Sequence, residues 1–294
     1  MMQQNITDPS EGIDPASVPP GVDPNQTNAA RLYSLFINPT EGQFFPIDVA
    51  VSKQIEAAIP ESFDIAQDNR VFVRRAARFM VNQGIKQIID LGSGLPADQN
   101  THEVVHAIDA DVRVIYDDID PMTVAHAEHL LRGASNVAYI GEDARDVDAV
   151  LGHPRTRELI DLAQPVGFIL GSIMQLWGPD CDSHAVVRRY LDAVPSGSYL
   201  AVSHFTTPGQ RPPHDGPPAD RVKALSTVME AAGEPLIFRT PEEIRRYFDG
   251  LELVPPYDGV DEPDLVWVNR WGAKDPAQAY ASGCWLLAGV ARKP

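Results

Sequence analysis

The stretch IIDLGSGLPADQN, residues 88–100, carries the clearest signal of the fold in this sequence. An apolar, β-branched run that contains Asp90 leads into Gly-Ser-Gly at residues 92–94, here called the glycine loop. Asn100 and Glu103 then have the spacing of a capping box, which predicts that a helix begins there. A glycine turn between a strand and a helix lies at the carboxyl edge of a parallel sheet, where open α/β folds bind ligands. The stretch therefore predicts a ligand-binding loop in an α/β domain.

Apolar bursts that alternate with helical patterns predict the rest of the sheet. Five bursts are expected to be strands, at residues 87–91, 112–117, 137–140, 166–171 and 198–205. Strands separated by helical patterns favour a parallel, doubly wound sheet with helices on both faces. Two later bursts, at 251–254 and 284–292, have no helical pattern between them, which indicates an antiparallel pair closing one edge.

Composition and charge exclude several classes of function. The formal charge is −17, from 24 basic and 41 acidic residues, and such a surface repels nucleic acid and anionic membranes. The first 27 residues contain five prolines and no apolar periodicity, so residues 1–27 are expected to be a disordered leader. No signal peptide and no membrane-spanning run is recognised, which predicts a cytoplasmic protein. Cys181 and Cys284 lack metal-ligand spacing, and no metal site is expected.

The glycine loop has three alternative interpretations. A phosphate-binding Walker loop needs a Gly-Lys pair, which is absent here. A dinucleotide fingerprint stays open, because Ala97 is a permitted last residue of G-x-G-x-x-A counted from Gly92. Asp90 ahead of the glycines and Pro96 after them disfavour a pyrophosphate. An acid at this place suits a cationic amino group instead, such as the amino-acid end of S-adenosylmethionine.

Carboxylates follow the next two predicted strands as well. Asp118, flanked by Asp117 and Asp120, follows the second strand, and Asp143 follows the third. An acid in the first place can accept hydrogen bonds from both ribose hydroxyls, and one in the second can accept from the adenine amine. Asp90, Asp118 and Asp143 at three successive strand ends therefore favour an adenosylmethionine site.

The motif D-L-G-S-G at 90–94, with D-x-D-P at 118–121, is similar to class I S-adenosylmethionine-dependent methyltransferases. More closely, the chain resembles the actinobacterial S-adenosyl methyltransferase family once catalogued as a domain of unknown function. The stretches that carry this resemblance are 29–36, 69–79, 84–107, 114–131, 197–206 and 240–256.

The resemblance implies an α/β fold with a Rossmann-like seven-stranded methyltransferase sheet, mostly parallel with one antiparallel edge strand and with helices on both faces. Residues 28–294 would form a single domain. Its parts would be an N-terminal helical cover at 28–83, a cofactor-binding core at 84–205 and a C-terminal part at 206–294. That last part would include a substrate loop near 264–271.

The resemblance also implies a set of cofactor-binding residues around S-adenosyl-L-methionine. With Asp90 they are Gly92, Ser93 and Gly94 at the methionine, Asp118 and Ile119 at the ribose, Asp143 and Ala144 at the adenine, Gly171 and Ser172 near the sulfonium, and one or both of Arg31 and Tyr33 from the cover.

Catalytic and substrate-binding side chains are less clearly marked. His204, at the end of the fifth strand, is the candidate general base. An arginine stripe at Arg70, Arg74 and Arg78 is either a solvated helix face or a contact for an anionic group of a ligand. The aromatic residues that could wall an acceptor pocket or belong to the core are Trp177, Tyr199, Phe205, Trp267 and Trp271.

The resemblance thus implies a methyltransferase, a transferase that acts on a small-molecule acceptor, and the actinobacterial setting of the family suggests natural-product metabolism. No nucleic acid and no membrane is expected as a partner, and a homodimer is left open. Two other functions remain as alternatives. One is a non-catalytic adenosylmethionine-binding or regulatory module, and the other is an NAD-dependent dehydrogenase.

Overall fold

The computed structural model describes residues 18–37, 44–95, 99–131, 133–209, 215–276 and 284–294. Most of the leader predicted to be disordered, residues 1–17, lies outside these ranges, and residues 18–27 form turns ahead of the first helix. No helix in the described ranges is both long enough and apolar enough to cross a membrane.

Helices and strands alternate along the core as the sequence predicts. The helices are α1 Ala29–Ile37, α2 Pro46–Ala58, α3 Ser62–Asn82, α4 Thr101–His106, α5 Pro121–Leu130, α6 Val147–Gly152, α7 Pro154–Leu159, α8 Ser183–Asp192, α9 Ala219–Ala231 and α10 Pro241–Arg245. The strands are β1 Gln87–Leu91, β2 Arg113–Asp117, β3 Val137–Ile140, β4 Gly167–Gly171, β5 Tyr199–Phe205, β6 Glu252–Leu253, β7 Val266–Trp267 and β8 Leu286–Arg292.

The strands form one mixed sheet in the order β3-β2-β1-β4-β5-β8-β6, with β7 also paired to β8. Pairing is parallel from β3 to β5, and β8 runs antiparallel to β5 on one side and to β6 and β7 on the other. The expected mostly parallel sheet is therefore confirmed. The two short strands β6 and β7 share the edge position, so eight strands occupy seven places, and the antiparallel strand is second from the edge.

Alternating side chains of the buried strands face two different helical layers. Ile88 packs in the core beneath α3, whereas its neighbour Ile89 packs in the core on the side of α6 and α8. This period of two puts Asp90 on the same face as Ile88, beneath α3. The strand direction and this alternation together decide which strand-end side chains can reach the cover, α1 to α3.

A buried ion pair holds the cover together. Arg31 on α1 donates from Nε to Asp48 Oδ2 on α2 at 2.8 Å, and both side chains are almost fully excluded from solvent. Asp48 also accepts from the Thr27 hydroxyl at 2.7 Å and from the backbone N–H of Phe45 at 2.8 Å. The Arg31 guanidinium lies 3.7 Å from Asp120, which caps α5. The pair therefore joins the cover to the loop after β2.

Replacing one partner of this pair should destabilise the protein more than replacing both. We expect Arg31→Met to lower the free energy of unfolding by about 3–5 kcal/mol, because Asp48 is left as a buried charge without its cation. The double variant Arg31→Met with Asp48→Leu should recover at least half of that loss. Urea unfolding of the variants measures both values, and a double variant as unstable as the sum of the single variants would contradict the coupling.

Candidate functional site

A cavity of about 320 Å³ lies between the carboxyl ends of β1 to β4 and the cover. Eleven of the twelve residues predicted to bind the cofactor line it. They are Tyr33, Asp90, Gly92, Ser93, Gly94, Asp118, Ile119, Asp143, Ala144, Gly171 and Ser172. The exception is Arg31, whose guanidinium lies behind the lining on Asp48. The structure thus brings together residues that are up to 139 positions apart, from Tyr33 to Ser172.

Backbone conformation explains both glycines of the glycine loop. Gly92 has φ +63° and Gly94 has φ +69°, in the left-handed region that glycine adopts without strain. A Cβ added at Gly92 would also lie 2.4 Å from Cγ1 of Ile173, so no larger residue fits there. At Gly94 nothing lies within 4 Å of such a Cβ, so the loop surface there is open space. The loop therefore offers backbone that a ligand can approach closely.

Asp118 fixes the glycine loop to the end of β2. Its Oδ2 accepts from the backbone N–H of Gly94 at 2.9 Å, and its Oδ1 accepts from that of Asp120 at 3.0 Å. The backbone N–H of Ser93 adds a bond to the Asp117 carbonyl at 3.0 Å. A carboxylate has about four acceptor positions, so Asp118 keeps capacity for a ligand hydroxyl.

Tyr139, on β3, is a second anchor of the loop that sequence analysis missed. Its hydroxyl donates to the Gly94 carbonyl at 3.0 Å and accepts from the Ser93 hydroxyl at 2.9 Å. The ring stacks on Tyr116 of β2, with centroids 5.8 Å apart and planes 17° apart. The sequence did contain a signal for this anchor, namely a tyrosine within an apolar strand. A buried tyrosine hydroxyl needs a hydrogen-bond partner, so such a residue indicates a polar contact nearby.

Asp90 is a buried acid that faces the cavity beneath α3. Its Oδ2 accepts from the Thr101 hydroxyl at 2.7 Å, and only 3% of its surface is exposed. Burial raises the pKa of this carboxyl to about 6, against the opposing effects of the Thr101 hydrogen bond and of Arg70. A cationic group placed beside Asp90 would favour its ionised form and would itself be stabilised.

The arginine stripe on α3 divides into residues with different environments. Arg70 is buried and lines the cavity, with Nη1 3.5 Å from the Ser93 carbonyl. Its Nε has no hydrogen-bond partner within the described ranges. Arg74 donates to the carbonyl of Gln99, and Arg78 is exposed. Arg70 is therefore the member of the stripe that is placed to meet an anionic group, and the sequence pattern alone did not single it out.

Asp143 lines the opposite end of the cavity. Arg145 binds its carboxylate with Nε at 2.9 Å from Oδ1 and Nη2 at 2.6 Å from Oδ2. The hydrogen bond from Arg145 lowers the pKa of Asp143, so this acid is ionised at neutral pH. Because Arg145 occupies part of this carboxylate, Asp143 has fewer free acceptor positions for a ligand than the sequence implied.

The end of β4 carries a strained residue. Ser172 has φ +65°, which is uncommon for a residue with a side chain. Gln175 holds this conformation by donating from Nε2 to the Ser172 carbonyl at 2.6 Å and to its hydroxyl at 2.5 Å. Such strain is typical of ligand-binding positions.

His204 does not lie in the cavity, although it is the candidate general base. It follows Leu200 and Val202 on the face of β5 that packs away from the cover, while Ser203 faces α3 and donates to Asn69 at 2.6 Å. His204 is fully buried, and burial lowers its pKa to about 3. The physical reason is the period of two along a strand, which moves adjacent side chains to opposite faces.

Two of the five predicted pocket aromatics, Trp177 and Phe205, line the cavity. Trp271 instead packs edge-to-face on Phe72 of α3. The expected substrate loop, residues 264–271, is held against α3 and β8, and Arg75 donates to the carbonyl of its Trp271 at 3.1 Å. Instead of this loop, α9 and the segment that follows α9 complete the cavity wall. No sequence motif had indicated that these segments would line the cavity.

Burial of the strand-end acids makes the stability of the ligand-free protein depend on pH. Burial raises the pKa of Asp117 to about 8, and Oδ2 of this acid has no partner within the described ranges. A carboxyl whose pKa is raised on folding makes its full contribution to stability when the pH is below its pKa in the unfolded chain. That contribution is lost as the pH rises through its pKa in the folded protein.

Asp117→Asn should therefore stabilise the ligand-free protein relative to the wild type by an amount that grows between pH 5 and pH 8. The growth is at most about 1.4 kcal/mol per pH unit for one proton, and it should level off above pH 8. Urea unfolding at several pH values measures the difference. The exposed Asp258→Asn is the control, and a difference that stays flat with pH for Asp117→Asn would contradict the burial argument.

Comparisons with known proteins show what the chain is similar to. A family model described as S-adenosyl methyltransferase matches residues 15–294. A crystal structure from Thermobifida fusca YX, assigned as a methyltransferase, is 34% identical with a TM-score of 0.82, and the match covers 94% of this chain and 98% of that one. A duf574 family protein from Streptomyces avermitilis MA-4680 is 29% identical with a TM-score of 0.81, covering 92% and 99%. No curated protein matches the chain.

Proposed function

Because the chain belongs to the S-adenosyl methyltransferase family, we propose that it transfers the methyl group of S-adenosylmethionine to a small-molecule acceptor bound in the same cavity. The enzyme class and the cofactor follow from the family, whereas the acceptor and the residue roles below are proposals. The observation that carries them is the continuity of the cavity, which runs from the strand-end acids to a wall of apolar side chains. We place the reaction in natural-product metabolism because both matched structures come from actinobacteria.

The amino-acid end of the cofactor fits the part of the cavity beside the glycine loop. Asp90 supplies an acid for the ammonium group, and the Arg70 side chain, which also lines the cavity, supplies a cation for the carboxylate. Open space at Gly94 admits this end close to the backbone. Opposite charges at the two places match a zwitterion and would orient it.

The adenosine end fits the carboxyl edge of β2 and β3. Asp118 keeps acceptor positions for the ribose hydroxyls, and Ile119, 60% exposed, lies beside it as an apolar surface for the base. Asp143 and Ala144 line the place for adenine. The Arg145 guanidinium shares the Asp143 carboxylate, so adenine recognition there uses its remaining acceptor positions.

The cofactor supplies an electrophilic methyl group on a sulfonium. The residues of this chain bind it, orient it and exclude water, and positioning of two reactants is worth on the order of 7–11 kcal/mol of a reaction barrier. No histidine or lysine lines the described part of the cavity. Burial raises the pKa of Tyr33, whose hydroxyl donates to the Ala66 carbonyl at 3.1 Å and accepts from Asn69. Tyr33 is thus a positioning residue, and we assign no general base.

Calorimetric titration with S-adenosylhomocysteine tests the proposal, together with methyl transfer from labelled S-adenosylmethionine to a panel of small-molecule acceptors. We expect one binding site per chain and transfer to at least one acceptor. Transfer to added proteins or RNA, with none to any small molecule, would show that the proposed acceptor class is wrong.

Asp118→Ala should weaken binding of S-adenosylhomocysteine by roughly 10–100-fold, because charged acceptors contribute about 1.5–3 kcal/mol per hydrogen bond. It should also weaken 5′-methylthioadenosine at least tenfold, since that ligand keeps the ribose. Exposed Asp180→Ala is the control. If Asp118→Ala left the affinity for both ligands unchanged, the ribose hydroxyls would have to bind to another acid.

Arg70→Gln should weaken binding of S-adenosylhomocysteine by roughly 10–100-fold through the lost charge-assisted bond to the carboxylate. Binding of 5′-methylthioadenosine, which has no amino-acid end, should stay within about twofold. Arg78→Gln, an exposed change on the same helix, should affect neither ligand. Equal weakening of both ligands by Arg70→Gln would mean that the arginine acts through the fold of the loop.

A further inference from the structure

The part of the cavity wall that α1, α2, α9 and β8 contribute is largely apolar. We call it the apolar chamber, and its defining residues are Phe36, Ile55, Ile59, Leu225, Met229 and Leu286. They come from α1, from α2 and its end, from α9 and from β8. The chamber therefore lies between the cover and the C-terminal part of the chain, and it is continuous with the cofactor part of the cavity.

Charge is distributed unevenly along this cavity. The acids and arginines that line it belong to the strand ends, to α3 at Arg70 and to Glu234 beyond α9. Every described lining residue contributed by α2, α9, β5 and β8 is apolar. A charged group of a ligand would lose its hydration in the chamber without gaining a partner of opposite charge, which is strongly unfavourable.

One polar atom on the wall of the chamber is unpartnered. The Ser62 hydroxyl, at the first turn of α3, is buried and has no hydrogen-bond partner within the described ranges. Ser62 is only 6% exposed and lines the cavity next to Ile59. An unpartnered buried hydroxyl is unfavourable, and a hydrogen bond to a bound molecule would offset that cost, so Ser62 is the candidate polar contact within this apolar surface.

We propose that the methyl acceptor is an uncharged, largely apolar molecule whose hydrocarbon body occupies the apolar chamber, with one hydrogen bond to Ser62. This inference rests on the proposed function, because it assigns the second ligand of the same cavity. The methyl-accepting atom then lies between the chamber and the strained end of β4 at Ser172. The apolar wall selects acceptors by the hydrocarbon part that becomes buried in the chamber and not by a charged group.

The experiment uses full-length protein saturated with S-adenosylhomocysteine, so that the cofactor part of the cavity is filled. The probe is N-phenyl-1-naphthylamine, a neutral dye that fluoresces in apolar surroundings. We expect one dye per chain. Met229→Gln should weaken binding of the dye at least tenfold, while its affinity for S-adenosylhomocysteine stays within twofold of the wild-type value. Val228→Gln, a matched change on the same helix at a partly buried residue outside the lining, should leave the dye unaffected.

A second measurement needs no variant. Neutral 1-naphthamide should displace the dye at least tenfold more strongly than 1-naphthoate, which has nearly the same shape and a negative charge. Equal displacement by the two compounds, no dye binding to the S-adenosylhomocysteine complex, or equal losses in Met229→Gln and Val228→Gln would each overturn the inference. Failure of S-adenosylhomocysteine itself to bind would instead overturn the proposed function, so the two failures are distinguishable.

Discussion

The carboxylate of Asp118 is the point on which the rest of the site depends. It accepts hydrogen bonds from the backbone N–H groups of Gly94 and Asp120, so one acid connects the glycine loop after β1 to the turn before α5. Burial raises its pKa to about 6, and the backbone hydrogen bonds oppose that rise. The Arg31–Asp48 pair of the cover then reaches the same turn through Asp120. Cofactor loop, second strand and cover are thus positioned by one connected set of polar contacts.

Much of this arrangement could be predicted from the sequence, because it follows from local rules. Strand β1 has the predicted bounds, residues 87–91, and β3 has the predicted bounds 137–140, since an apolar run bounded by turn residues has few alternatives in an α/β chain. The capping hydrogen bond from Asn100 to Glu103 forms as expected at 2.7 Å. Acids at or near the carboxyl ends of neighbouring parallel strands lie at one edge of the sheet, which is why Asp90, Asp118 and Asp143 line one cavity.

The remaining parts depend on contacts between distant segments, which no local pattern specifies. His204 was placed by its position at a strand end, but the face of the strand is decided by which neighbour packs beneath α3. Arg70 and Arg78 look alike in the sequence, and only the docking of α3 on the glycine loop separates a cavity residue from an exposed one. The wall from α9 forms for the same reason, since Met229 reaches the cavity only after the C-terminal part packs on the cover.

A crystal structure of the complex with S-adenosylhomocysteine would show whether the strand-end acids and Arg70 bind the cofactor as proposed. We expect the ribose hydroxyls within hydrogen-bond distance of Asp118, the amino-acid end between Asp90 and Arg70, and the sulfur atom at the opening of the apolar chamber. A ligand bound outside this cavity, or one bound in the reverse orientation with adenine beside Asp90, would contradict the proposal.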